Sequence, residues 1–274
     1  MGGGDYDAGE SILVLHDSSI IVAGSTSLQS SDILWVKTDS IGNILNWKAF
    51  GWDGIEWAKH IVSFPPDSGF IMVGSTNSLG AGSYDILVAR QDRNGDTLWT
   101  KTFGGLDWDL GKQVWIDPQD KIWILSHSYS YSNNGCAVII VLDSNGNELQ
   151  RTILSANADL RPEHFMLMPD SAILVLGSIQ PGIYSEKDIF TAKLNLQGDT
   201  VWTKIYGSTF ADTPRKILPY LNSSNSLSYM ICGEYQNTNL NKSNAFFQRI
   251  NTNGDSILRV NHEVNFDRIN LQAR

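Results

Sequence analysis

Apolar residues along this chain come in short blocks, not on a helical stripe. One stretch shows the pattern: AKHIVSF, FIMVGS, DILVARQ and DTLWTKTF, separated by Pro65-Pro66-Asp67-Ser68-Gly69, a Ser/Gly-rich loop from Asn77 to Tyr84, and Asn94-Gly95. Blocks of this length punctuated by turn residues predict four β-strands. No stretch sustains a 3.6-residue apolar period between a start cap and a stop glycine, so no helix longer than a turn or two is predicted. The second block is apolar at successive positions: Ile71, Met72 and Val73 here, Ile173, Leu174 and Val175 further on. A strand apolar on both faces is one covered on both sides. Asn-Gly supplies the positive φ angles of a two-residue hairpin.

The four-block unit recurs. Its turn glycine appears at Gly42, Gly95, Gly146, Gly198 and Gly254, spaced 53, 51, 52 and 56 residues apart. A second landmark closes each second block: Gly24-Ser25, Gly74-Ser75, Ser126-His127, Gly177-Ser178 and Gly233-Glu234, spaced 50, 52, 51 and 56. Two landmarks keeping one period predict an all-β chain, a β-propeller of four-stranded antiparallel blades. Repeats run over about 4–50, 51–103, 104–154, 155–206 and 207–262, and 263–274 reads as the start of a sixth. A tryptophan follows the turn glycine by four residues at Trp99 and Trp202 and by five at Trp47. A ring there is expected to fill the wedge between blades, largely buried.

The ends resemble interior pieces. Gly3-Gly4-Asp5-Tyr6-Asp7 matches Gly104 to Asp109, and Phe266-Asp267-Arg268-Ile269 resembles the Phe210-Ala211-Asp212 entry. The expectation is one propeller over 1–274, broken out of a parent of about six to eight blades.

Composition narrows the partners. The chain has 274 residues, 42% hydrophobic and 18% charged, which is a globular balance. A formal charge of −9 disfavours a nucleic-acid backbone or an anionic membrane surface as partner. No apolar run reaches 18 residues, so no membrane insertion is expected, and no signal peptide opens the sequence. Cys136 and Cys232 lie two repeats apart, too far for a disulfide in an ordinary propeller, and read as small buried hydrophobes.

The stretches GFIMVGST and YDILVARQDRNGDTLWTKTFGG resemble the propeller-type repeats of secreted bacterial surface proteins, whose usual form is DGGYIVAGST followed by DIYLIKLDSNGNLLWSKTFGG. The resemblance covers essentially the whole chain. It implies a β-propeller, export to the cell surface or outside the cell, and no defined activity. The D-x-x-G-x-x-x-W element is also similar to the tryptophan-docking repeat of quinoprotein dehydrogenases, with Gly95 three residues after Asp92 instead of four.

Chemistry-bearing residues mostly recur by repeat. Asp92, Asn94 and Asp96 have the alternating oxygens of a calcium loop, as do Asp143, Asn145 and Asn147. Thr97 stands where such a loop needs glycine and no Glu closes it, so hairpin geometry is the reading. DRNGDTLW differs by one residue from the sialidase-type Asp box, S-x-D-x-G-x-x-W, which alters the turn. Asp7, Glu56, Asp109 and Asp212 precede strand one, and Asp32, Asp85 and Asp188 precede strand three. Carboxylates there are expected to accept backbone N–H bonds and lock the connections. His16, His60, His127, His164 and His262 form no metal spacing, and no P-loop, dinucleotide or G-x-S-x-G signature occurs.

What departs from the repeat lies in the longer loops, on the face opposite the short hairpins. These carry Trp52, Asp53, Trp57, Trp108, Tyr129, Tyr131, Tyr184 and Glu186, the candidate binding residues, with a glycan or a protein or peptide as partner. The expectation is a noncatalytic binding or scaffold module with no cofactor and no metal. The alternative is an enzyme on a propeller scaffold, quinoprotein-like or carbohydrate-active, with its catalytic residues in sequence beyond this chain.

Overall fold

The computed structural model describes residues 7–27, 31–65, 69–182, 186–237 and 242–262. The chain forms two compact units that divide between Pro162 and Glu163. Among the described residues there is no α-helix. The fold is a β-propeller, built from five four-stranded antiparallel sheets, each with its strands in sequence order.

The first unit holds three sheets. The first comprises β1 (Asp7–Val14), β2 (Ile20–Thr26), β3 (Asp32–Thr38) and β4 (Ile44–Phe50). The second comprises β5 (Glu56–Phe64), β6 (Gly69–Thr76), β7 (Asp85–Gln91) and β8 (Thr97–Phe103). The third comprises β9 (Asp109–Ile116), β10 (Ile122–Ser128), β11 (Cys136–Leu142) and β12 (Glu148–Leu154). The unit boundary falls inside β13 (Asp159–Leu167), which pairs into a sheet with β14 (Ile173–Gln180), β15 (Asp188–Leu194) and β16 (Thr200–Tyr206). The second unit ends with β17 (Ala211–Leu221), β18 (Leu227–Asn237), β19 (Lys242–Ile250) and β20 (Ser256–His262). Residues 1–6 and 263–274, which carry the broken first connection and the sixth repeat, lie outside the described residues.

Second and third strands are the core. Every residue of β6, β10 and β11 is buried, whereas β8, β12 and β16 are mostly open to solvent. Facing sheets interdigitate their apolar rows. Ile21, Ala23, Ile33 and Trp35 of the first sheet meet Ala58, Phe70, Met72 and Leu87 of the second. Ile71, Val73, Ile86 and Val88 then meet Ile122, Ile124, Val138 and Ile140 of the third. Burial on both faces is why these strands read as continuous apolar runs.

The hairpins between third and fourth strands differ from the expected two-residue turn. Only the glycine takes a positive φ, +81° at Gly95 and +78° at Gly146. Gly95 N–H donates to Asp92 O at 3.0 Å, and the strand pairing shifts register between Arg90 and Gln91. This is a three-residue loop with a glycine bulge. Its cause is the leading carboxylate: Asp92 Oδ1 accepts the N–H groups of Asn94 and Asp96 at 2.8 and 2.9 Å. Asp39, Asp143, Asn195 and Asn251 repeat the arrangement. Bonding from Asn43 holds Asp39 below its usual pKa, and Asn147 does the same for Asp143.

The tryptophan wedge holds at two of its three positions. Trp99 and Trp202 are partly buried and pack against the apolar cores. Their indoles pack on the turn glycine of the next repeat, Gly146 and Gly254. Trp47 does not share their position. Asn46 holds their place, opposite Lys37 as Trp99 is opposite Arg90, and Trp47 comes one position later, opposite Val36. A one-residue shift turns a strand's side chains to the other face, and Trp47 is left 52% exposed. Trp35, fully buried on the third strand, packs on Gly95 in its stead.

Candidate functional site

Consecutive sheets are stitched at the ends of their first strands. The backbone entering β3 bridges in parallel to the backbone entering β5, and the entry to β7 does so to β9. Glu56 N–H donates to Ser31 O at 2.6 Å, and Asp109 N–H to Tyr84 O at 2.7 Å. The carboxylates at these entries hold the connection. Glu56 accepts from Trp52 N–H at 2.9 Å, Thr76 Oγ1 at 2.7 Å and Ser78 Oγ at 2.5 Å. Asp109 accepts from Gly105 N–H at 2.8 Å and Ser130 Oγ at 2.6 Å. Asp85 accepts from the N–H groups of Ala81 and Gly82. Burial, joined by the charge of Asp109, raises the Asp85 pKa. In the second unit Arg259 bridges both oxygens of Asp212. Glu56, Asp85, Asp109 and Asp212 are thus buried locks, whereas Asp32 and Asp188 are part-buried and Asp7 is exposed.

This stitching brings together three aromatic rings. Tyr84 and Trp108 are the bridged residues themselves, and Trp57 follows Glu56. Trp57 and Tyr84 have ring centroids 5.0 Å apart, and Tyr84 and Trp108 are also 5.0 Å apart, tilted by 48° and 58°. Trp108 is 50% exposed. The ladder spans the junction of the second and third sheets. The connections bearing Trp57 and Trp108 also carry Asp53 and Asp107, both exposed. Neither belongs to the repeated locks. Beside Trp57 lies a cavity of about 340 Å³ lined by Ala8, Glu10, Ser25, Ser31, Lys59, Leu110, Gly111 and Lys112.

A second cluster breaks the repeat where His127 replaces the serine of Ser25, Ser75 and Ser178. Across the preceding junction, Ser75 Oγ accepts the Gly111 N–H at 3.2 Å. His127 instead puts Nε2 3.5 Å from Asp159 Oδ1, with its ring edge-on to Tyr129 at 4.8 Å. Arg161 Nε donates to Asp159 Oδ2 at 2.7 Å and Nη2 to Tyr129 Oη at 3.4 Å. Burial pushes the His127 pKa down to about 4, against the pull of Asp159 and with help from Lys112 and Arg161. The imidazole is therefore neutral at pH 7 and a weak proton acceptor. Cys136, at the start of β11, is no nucleophile either, because burial pushes its thiol up to about 11.

The eight loop residues singled out by sequence do not form one site. Trp57 and Trp108 meet through Tyr84, and Asp53 is exposed near them in sequence. Trp52 packs on the first apolar core. Tyr131 packs on the second, and accepts a bond from Arg151 Nη1. Tyr129 faces His127, and Glu186 is exposed in the second unit. Tyr184 lies outside the described residues. Sequence reading passed over Tyr84, Lys59, Lys112, Asp107, Asp159 and Arg161 as site residues. Tyr84 had a signal: it is an aromatic residue directly before a locking aspartate.

No protein-family model matches the sequence, and no curated protein does. Solved structures do match. A protein of unknown function from Dyadobacter fermentans aligns over 93% of this chain and 83% of its own, at 9% identity and a TM-score of 0.59. A subtype N10 neuraminidase-like protein of A/little yellow-shouldered bat/Guatemala aligns over 93% and 82%, at 10% identity and 0.53. An endo-arabinase from Bacteroides thetaiotaomicron aligns over 96% of both chains, at 13% identity and 0.48. At these identities the likeness is one of fold. A Synechocystis apocarotenoid oxygenase, an enzyme by name, aligns over 89% of this chain and 58% of its own, at 10% identity and 0.53. That finding overturns the expectation of a chain that is not an enzyme: its architecture is one that enzymes use.

Proposed function

We propose that this chain is a carbohydrate-active β-propeller acting on glycan outside the cell, with the sugar laid across Trp57, Tyr84 and Trp108. The ladder carries this reading. Three neighbouring rings, partly open to solvent, suit the apolar faces of successive sugar rings, and sequence-distant aromatics at one junction are costly to expose without a ligand. Enzymes among the propeller matches support catalysis over simple binding. The resemblance of the repeat to secreted surface proteins supports the location.

Cleaving a glycosidic bond takes two carboxyl groups, one as acid and one as base or nucleophile. The buried locks cannot reach a sugar. Asp53 and Asp107, exposed in the connections that bear the ladder, are the candidates for that pair. Gly54 stands where the next connection has Asp107, and Leu106 where the preceding one has Asp53, so both depart from the repeat.

Release of reducing ends from arabinan, galactan and polygalacturonate tests the reading. Asp107→Asn should lower the rate at least about a hundredfold with the fold intact, the usual scale for losing a general acid or base. Unchanged release by Asp53→Asn and Asp107→Asn together would remove both from the chemistry.

A further inference from the structure

Asp159 opens β13 as Glu56 opens β5 and Asp109 opens β9, so it stands in the place of a lock. It is not filled like one. Glu56 and Asp109 take backbone N–H and hydroxyl donors, whereas Asp159 takes Arg161 Nε on Oδ2 and has no hydrogen bond on Oδ1, although that atom is buried. Opposite it stands His127, which replaces the serine of the other repeats. Its side chain is only 6% exposed, and its Nε2, 3.5 Å from Asp159 Oδ1, has no hydrogen bond either. Two buried polar atoms facing one another without a partner are costly and rare. Gly135, at φ +86°, holds the backbone clear of both: a Cβ there would lie 2.7 Å from Asp159 Oδ1 and 2.9 Å from His127 Nε2. The mouth of the cluster is open, with Arg161 exposed and Asp159 and Tyr129 part-buried. It adjoins the ladder, since Tyr129 N–H donates to Trp108 O at 2.9 Å.

We propose that His127, Asp159, Arg161 and Tyr129 form a further sugar subsite, beside the ring stacked on Trp108, that takes two neighbouring hydroxyls of a neutral sugar. The proposal rests on the glycan reading and names residues that set its specificity. A hydroxyl is donor and acceptor at once. An imidazole kept neutral by burial carries one ring proton. With that proton on Nε2, one hydroxyl accepts from His127 and donates to Asp159 Oδ1, so both buried atoms gain a partner. Arg161 Nη2 and Tyr129 Oη, 3.4 Å apart at the mouth, suit the next hydroxyl. Among these four residues one guanidinium meets one carboxylate, so the cluster has no net charge to prefer an ionic ligand. The guanidinium on the other oxygen of Asp159 also disfavours a metal cation between Asp159 and His127.

Tryptophan-fluorescence titration with galactan and arabinan oligosaccharides of increasing length tests this. Wild-type affinity should rise with length and then level off, with a last gain of about tenfold, the scale of one or two hydrogen bonds. His127→Ser, which restores the residue of Ser25, Ser75 and Ser178, and Asp159→Asn should each remove that last gain and leave the affinity for shorter sugars unchanged. His127→Ser should melt no lower than wild type, because it removes an unpaired buried atom, so it carries the test even if Asp159→Asn folds poorly. A wild-type affinity that never rises with length, a rise that persists in both variants, or an equal loss for sugars of every length would overturn the subsite and leave the glycan reading standing. A melting temperature raised by zinc in wild type but not in His127→Ser would assign the cluster to a metal and overturn it too. Binding of no sugar at any length would overturn both readings.

Discussion

Two turn glycines with the same backbone geometry separate two physical effects. Gly42 has φ +92° and open space around the position a Cβ would take. Gly95 has φ +81°, but a Cβ there would sit 2.9 Å from the Trp35 ring. Alanine at Gly42 meets only the left-handed backbone penalty, about 1 kcal/mol. Alanine at Gly95 adds a clash with a buried indole, about 1–3 kcal/mol more. Urea melts of Gly42→Ala and Gly95→Ala should therefore differ by at least about 1 kcal/mol, with Gly95→Ala the less stable. Equal losses would show that the Trp35 contact yields without cost. Asn-Gly was legible in the sequence as a turn. That only its glycine takes positive φ was not, because the choice belongs to the Asp92 carboxylate, which captures two N–H groups of the loop.

At the scale of elements, the apolar blocks were legible because strands covered on both faces need no alternation. The same burial predicts their dynamics. Amides of β6 and β10 should exchange slowest, and those of β8 and β12 fastest, in native-state hydrogen exchange. Equal protection across the four strands of a sheet would mean that a sheet opens as one unit from edge to edge. The face of Trp47 was legible in its spacing, since five residues after the turn glycine instead of four puts it on the opposite face of the strand from Trp99. The ladder was half legible. Trp57 and Trp108 stood out as aromatics in the longer connections, but their link is Tyr84, 24 residues before Trp108, and only the parallel bridge brings those two together. His127 and Asp159 were hidden for the same reason: they belong to different repeats and meet across a sheet junction.

For the whole molecule, the repeat separates architecture from function. What recurs is the Asp or Asn and the glycine of each third-to-fourth-strand turn, with locking acids in most sheets, and these hold the fold. What departs from the repeat in the first unit is the ladder and the exposed Asp53 and Asp107. Propeller scaffolds serve many chemistries, so fold alone assigns none of them, and the site must do so. The central claim is that Trp57, Tyr84 and Trp108 form one sugar platform. Titrating the chain with oligosaccharides of arabinan, galactan and polygalacturonate, while following tryptophan emission, tests that claim most directly. Saturable quenching is expected in wild type, and Trp108→Ala should weaken binding about fivefold or more without lowering the melting temperature, on the scale of about 1–3 kcal/mol for a ring stacked on an aromatic. Full-strength binding by Trp108→Ala, or no spectral change with any glycan, would contradict it.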